Sequence, residues 1–75
     1  MTRMMRLICS DGDRPIAEWD TDTVTPKRLE EIEREFNKRM SDGWFAVDIT
    51  EKRNTLLKEF DPNSDILLIP RVHGG

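Results

Sequence analysis

The sequence is short of cysteine, of positive charge and of long apolar runs. One cysteine among 75 residues excludes an internal disulfide and is typical of a reducing compartment. The 12 Lys and Arg residues are outnumbered by 15 Asp and Glu, giving a net charge of -3, which argues against a nucleic-acid-binding module. Apolar runs such as Ile66–Ile69 are far below the ~20 residues that cross a bilayer. We expect one small cytoplasmic domain without nucleic-acid or membrane partners.

The strongest local signals predict a helix that begins at Pro26. Thr25 can accept a hydrogen bond from a free backbone N–H as N-cap, and Pro26 has no N–H to leave unpaired in the first turn. The apolar residues that follow recur at intervals of three and four: Leu29, Ile32, Phe36 and Met40. Such spacing places them on one side of a helix. Gly43 is suited to the left-handed conformation that ends a helix.

Five short apolar segments flank this helix and predict strands. An Asp11-Gly12 turn joins the first two, residues 4–9 and 15–19, into a hairpin. The other three are residues 44–49, 56–60 and 66–69. Alternation in the first of these predicts that Phe45, Val47 and Ile49 face the core and that Trp44 faces outward. Since large aromatic residues anchor partners when exposed, Trp44 marks a candidate partner surface.

The order of these elements predicts an α+β fold. Residues 66–69 are apolar at every position, as expected of a central strand, so we place this strand beside the first one. The first hairpin is antiparallel, and the helix is long enough to return the chain in parallel. The prediction is a mixed five-stranded sheet with one helix packed across one face.

The end of the sequence carries the most specific chemical signal, Pro70-Arg71-Val72-His73-Gly74-Gly75. At a glycine frequency of about 7%, two terminal glycines arise by chance in about 1 chain in 200. Glycine has no Cβ, so a terminal glycine carboxylate can enter a narrow slot and meet a nucleophile. Adenylation makes this carboxylate an electrophile, and a cysteine thiolate can then take it as a thioester.

The element order, the length and the diglycine resemble the β-grasp, ubiquitin-like superfamily. From Asp65 onward the sequence is similar to the end of two bacterial sulfur carriers, the molybdopterin synthase small subunit and the thiamine sulfur carrier. Those proteins typically end Pro-Pro-Val-x-Gly-Gly, and Arg71 stands where a second proline is common. The last five residues also resemble ubiquitin's Arg-Leu-Arg-Gly-Gly, with His73 replacing the second arginine.

This resemblance implies a β-grasp domain over residues 1–70 and a flexible diglycine tail over residues 71–75. It also implies that a partner adenylating enzyme uses ATP to activate the carboxylate of Gly75. Gly74 and Gly75 would thread the catalytic slot of that enzyme, which would recognise Arg71, Val72 and His73. The chain itself would be a carrier or an enzyme's substrate, without an active site, metal or cofactor of its own.

Three fates follow from the same resemblance. In a protein modifier, the activated group joins a lysine of an acceptor protein, and a diglycine-specific protease is a further partner. In a sulfur carrier, it becomes a thiocarboxylate that a sulfur-accepting enzyme uses. Arg71 favours the modifier, because ubiquitin presents an arginine there to its activating enzyme. Other ubiquitin-like proteins, including tail assembly proteins of bacteriophages, serve instead as assembly or interaction modules.

Overall fold

The computed structural model describes residues 1–71, which form five strands and one α-helix. The elements are β1 (Thr2–Cys9), β2 (Gly12–Asp20), α1 (Pro26–Ser41), β3 (Phe45–Asp48), β4 (Thr55–Leu57) and β5 (Ile66–Ile69), with a 3-10 turn at Thr50–Lys52 between β3 and β4. The predicted α+β class is therefore confirmed. Within residues 1–71, no helix combines the length and the apolar character needed to span a membrane.

The five strands form one mixed sheet in the order β2-β1-β5-β3-β4. β1 runs antiparallel to β2 and parallel to β5, with Met5 beside Ile66. β3 runs antiparallel to both β5 and β4. The predicted position of the last strand, central and beside the first, is confirmed.

The helix begins and ends where local chemistry predicts. The Thr25 hydroxyl accepts a hydrogen bond from the Arg28 backbone N–H at 3.1 Å, and Pro26 opens the first turn. After Ser41 the chain reaches Gly43, whose φ of 93° lies in the left-handed region that favours glycine. Both ends of α1 therefore coincide with local sequence signals.

The core lies between α1 and one face of the sheet. Its buried apolar residues are Met5, Leu7, Trp19, Ile32, Phe36, Ala46, Ile66 and Leu68. The ring of Phe60 lies 5.7 Å from that of Phe36 and 5.8 Å from that of Trp19, so three aromatic rings pack in sequence. The Trp19 indole N–H donates to the Pro62 carbonyl at 2.8 Å, which satisfies the polar atom of this buried side chain.

The predicted orientation of β3 is wrong. Phe45 is 52% exposed, whereas Ala46 and Asp48 are buried on the side of the sheet that α1 covers. Asp48 tolerates burial because its Oδ1 accepts the Thr50 backbone N–H at 2.9 Å and its Oδ2 lies 3.1 Å from the Ser64 hydroxyl. Side chains alternate along a strand, so Phe45 and its neighbours on the same side turn away from the core.

Asp48 belongs to a buried polar cluster that joins the turn after β3 to the loop before β5. The Ser64 hydroxyl also lies 2.7 Å from Asp61 Oδ2, and the Asp65 backbone N–H donates to the Thr50 hydroxyl at 2.8 Å. Contact with the Thr50 side chain is the largest cause that holds the pKa of Asp48 below its ordinary value. The Thr50 backbone N–H and the Ser64 hydroxyl add to it, and together these contacts outweigh burial, which raises the pKa.

This lowered pKa predicts a loss of stability in acid. A carboxyl group whose native pKa is depressed stabilises the fold above its unfolded pKa of about 3.9, and the contribution disappears as the pH falls through the native value. Urea unfolding between about pH 7 and about pH 2 should show a shallower acid slope for Asp48→Asn than for the unmodified protein. Asp11→Asn, a change at an exposed turn carboxylate, should retain the original slope. Equal slopes for Asp48→Asn and the unmodified protein would contradict the assignment.

Candidate functional site

The chain leaves the sheet at the end of β5, beside the start of β3. Ile69 pairs with Phe45, and Pro70 and Arg71 follow directly. Arg71 is exposed, and its side chain passes close to the end of α1, since a Cβ built on Gly43 would lie 3.4 Å from Arg71 Cδ. The last described residue therefore stands beside the C-terminal end of α1. The other four predicted tail positions, Val72, His73, Gly74 and Gly75, lie outside the described residues.

Trp44 lies on the helix side of the sheet and not on the outer face where its alternation placed it. It is half-buried and packs against the core. The guanidinium of Arg39 lies 5.4 Å from the centre of its ring, a cation–π contact, and Arg39 Nε donates to Glu35 at 3.2 Å. The outward placement of Trp44 is corrected here, and its use as a partner surface stays a prediction.

The side of the sheet opposite α1 is apolar over three neighbouring strands. Strand register places Leu67, Val47 and Leu56 in one row across β5, β3 and β4, and Ile69 beside Phe45 in the next row. Residues paired across strands project to the same side, so these five form one surface, the outer apolar face. Phe45 and Leu56 are its most exposed members, at 52% and 69%.

The outer apolar face has the character of an interaction surface. Single exposed apolar side chains are common on soluble proteins, but contiguous apolar patches rimmed by polar residues mark interaction sites. This face adjoins the point where the chain leaves the sheet, because Ile69 and Phe45 belong to both. Only the β5 part of this face has a local sequence signal, the uninterrupted apolar run Ile66–Ile69.

The described residues contribute this surface and no metal-binding cluster. Within residues 1–71, no group of three or more His, Cys, Asp or Glu side chains is arranged to hold a metal ion. Comparison of the chain with protein-family models, with curated proteins and with solved structures gives no match. The features that bear on function are therefore the fold, the outer apolar face and the terminal residues.

Proposed function

We propose that this chain is a β-grasp, ubiquitin-like protein whose Gly75 carboxylate is adenylated by a partner enzyme and then conjugated to a lysine of an acceptor protein. The observation that carries the proposal is the position of β5. This central strand is parallel to β1 and leads, within six residues, from Ile69 to the diglycine. A mixed five-stranded sheet with one helix on one face supports the β-grasp assignment.

The proposed chemistry uses the chain as a substrate. An oxygen of the Gly75 carboxylate attacks the α-phosphorus of ATP, and pyrophosphate leaves. A cysteine thiolate of the enzyme then displaces AMP to form a thioester, and a lysine amine displaces the thiolate to form an isopeptide bond. Gly75 contributes a carbonyl carbon with no Cβ beside it, which a narrow catalytic slot can enclose.

The outer apolar face offers a surface on which the adenylating enzyme could bind the folded domain while it modifies Gly75. The face begins at Phe45 and Ile69, where the chain leaves the sheet. An extended segment of six residues spans about 20 Å at ~3.3 Å per residue. An enzyme that docks on this face would thus need its catalytic slot within about 20 Å of Ile69.

An assembly or interaction module is the second candidate function. The exposure of Phe45 and Leu56 favours it, because these side chains form a binding surface whether or not Gly75 is activated. A sulfur carrier shares the adenylation step and differs only in the acceptor. Identification of the product therefore distinguishes the modifier from the sulfur carrier. A test of adenylation itself distinguishes both of them from the interaction module.

The test of the proposal is pyrophosphate release in a mixture of the purified protein, ATP and the adenylating enzyme encoded nearest to it. We expect release that requires all three components, together with an adduct heavier by one AMP on the C-terminal peptide. No release above that of the enzyme and ATP alone would contradict the proposal. If a partner is then still retained by the unmodified protein but not by Phe45→Ala, the interaction module is the better account.

A further inference from the structure

A cavity of about 240 Å³ lies at the end of the sheet where β1 and β5 begin. Its lining residues are Thr2, Arg3, Met4, Arg6, Ile49 and Asp65. The volume is below the range of roughly 300–1,000 Å³ typical of sites for drug-sized ligands, so the cavity suits a small chemical group. It adjoins the outer apolar face, because Arg6 is paired with Leu67 and Ile49 directly follows β3.

The guanidinium groups of this cavity hold donors without a strong acceptor. Arg3 Nε is buried and has no hydrogen-bond partner within residues 1–71. Arg3 Nη2 contacts the sulfur of Met1 at 2.7 Å, and Arg6 Nε contacts the sulfur of Met4 at 3.1 Å. A thioether sulfur is a weak acceptor. Arg3 Nη2 and Arg6 Nε would therefore gain from an oxygen acceptor that carries negative charge.

The residues that line the cavity carry a net positive charge, which favours a negatively charged ligand. Asp65 is the carboxylate of the cavity, with Oδ2 at 3.3 Å from Arg3 Nη1 and Oδ1 accepting the Met4 backbone N–H at 3.0 Å. Arg6 is paired with Asp13 at 3.2 Å across the hairpin, but the side chains are 43% and 53% exposed. Exposed pairs of this kind contribute little and exchange readily for a better partner. Two guanidinium groups against one carboxylate leave the lining positive.

We propose that this cavity binds an oxyanion, a carboxylate or a phosphoryl group, held between Arg3 and Arg6. The planar guanidinium group matches the geometry of both a carboxylate and a phosphoryl group. Either ligand would replace the sulfur contacts of Arg3 and Arg6 with charge-assisted hydrogen bonds. The site does not depend on activation of Gly75, so it extends beyond the proposed function.

The experiment is an NMR titration of the full chain with sodium phosphate and, separately, sodium acetate, each against sodium chloride at equal ionic strength. We expect saturable shifts of the Arg3 and Arg6 side-chain Nε–H signals and of the Asp65 amide. Arg6 is the residue to change, because its side chain is 43% exposed whereas that of Arg3 is 15% exposed. Arg6→Gln should weaken binding about tenfold or more, and Arg34→Gln, on the exposed side of α1, should leave it unchanged.

The outcomes separate the chemical class of the oxyanion from the existence of the site. Tighter binding of phosphate assigns a phosphoryl group, and tighter binding of acetate assigns a carboxylate. Shifts no larger than those in chloride, or the same dissociation constant for Arg6→Gln and the unmodified protein, would overturn the proposal. Deletion of Gly75 should leave the titration unchanged, so a failure of this site is distinct from a failure of the proposed function.

Discussion

Replacing Phe36 with alanine should lower the free energy of unfolding by about 3–5 kcal/mol. Phe36 is completely buried, and its ring packs 5.7 Å from that of Phe60 between α1 and the sheet. At about 0.05–0.15 kcal/mol per residue, a domain of this length has roughly 4–11 kcal/mol of stability in total. The variant should therefore melt well over 10 °C lower, since about 1 kcal/mol shifts the midpoint of a small domain by about 4–8 °C. Circular dichroism during heating and during urea unfolding measures both quantities.

Phe45→Ala is the matched control, because it removes the same atoms as Phe36→Ala but from β3, on the side of the sheet that α1 does not cover. Phe45 is 52% exposed on the side opposite α1, so its replacement should change the free energy of unfolding by about 0.5 kcal/mol or less. Alternation in the sequence instead places Phe45 in the core, which would predict a large loss of stability for Phe45→Ala. An equal loss of stability in the two variants would contradict the observed orientation of β3.

Deletion of Gly75 should abolish ATP-dependent transfer while leaving the fold intact. The carboxylate would then belong to Gly74, one residue nearer the sheet, and about 3.3–3.6 Å of reach would be lost. A displacement of this size matters because a reacting carbon must approach its nucleophile to within roughly 3–3.5 Å. The rate of pyrophosphate release with the adenylating enzyme measures the effect, and the melting curve should match that of the unmodified protein.

His73→Ala is the control within the same segment. It retains Gly74, Gly75 and the length of the chain, so it should slow transfer without abolishing it. Transfer by the Gly75 deletion at the rate of the unmodified protein would contradict the proposed role of this residue. Loss of transfer together with loss of the folded state would assign the effect to stability, against the prediction.

Most of the fold follows from signals that lie close together in the sequence. Thr25 and Pro26 begin α1 through a cap bond that spans three residues, and Gly43 ends it. The Asp11-Gly12 turn makes the first hairpin, where Gly12 has a φ of 119°. The central position of β5 follows from the apolar character of Ile66–Ile69. Each of these features depends on the backbone preferences of a few neighbouring residues.

The orientation of β3 could not be predicted because it depends on distant residues. Trp44 and Phe45 are both large and aromatic, so alternation alone does not decide which of them faces the core. The decision lies with Asp48, whose burial is tolerated through Ser64, 16 positions away.

β4 differs for a related reason. The prediction covered residues 56–60, but pairing with β3 ends at Leu57, and Phe60 turns instead toward the aromatic rings of the core.

The candidate site also has a part that the sequence predicts and a part that only the structure reveals. Its terminal residues were predicted from the sequence, and of these Arg71 lies within the described range, exposed beyond β5. The outer apolar face required the register of β5, β3 and β4, which joins residues 45 to 69. The cavity required the contact between Arg3 and Asp65, which are 62 positions apart. Neither pairing leaves a local pattern in the sequence.

The most direct measurement of the central claim is the mass of the peptide that ends at Gly75, recovered after trypsin digestion of the cells that make the protein. Trypsin cuts after Arg71, so conjugation predicts acceptor peptides in which a lysine carries the branch Val-His-Gly-Gly through an isopeptide bond. Replacement of one oxygen by sulfur at Gly75 would instead identify a sulfur carrier. Recovery of Gly75 only as a free acid, or of a peptide that continues beyond it, would contradict activation of this residue.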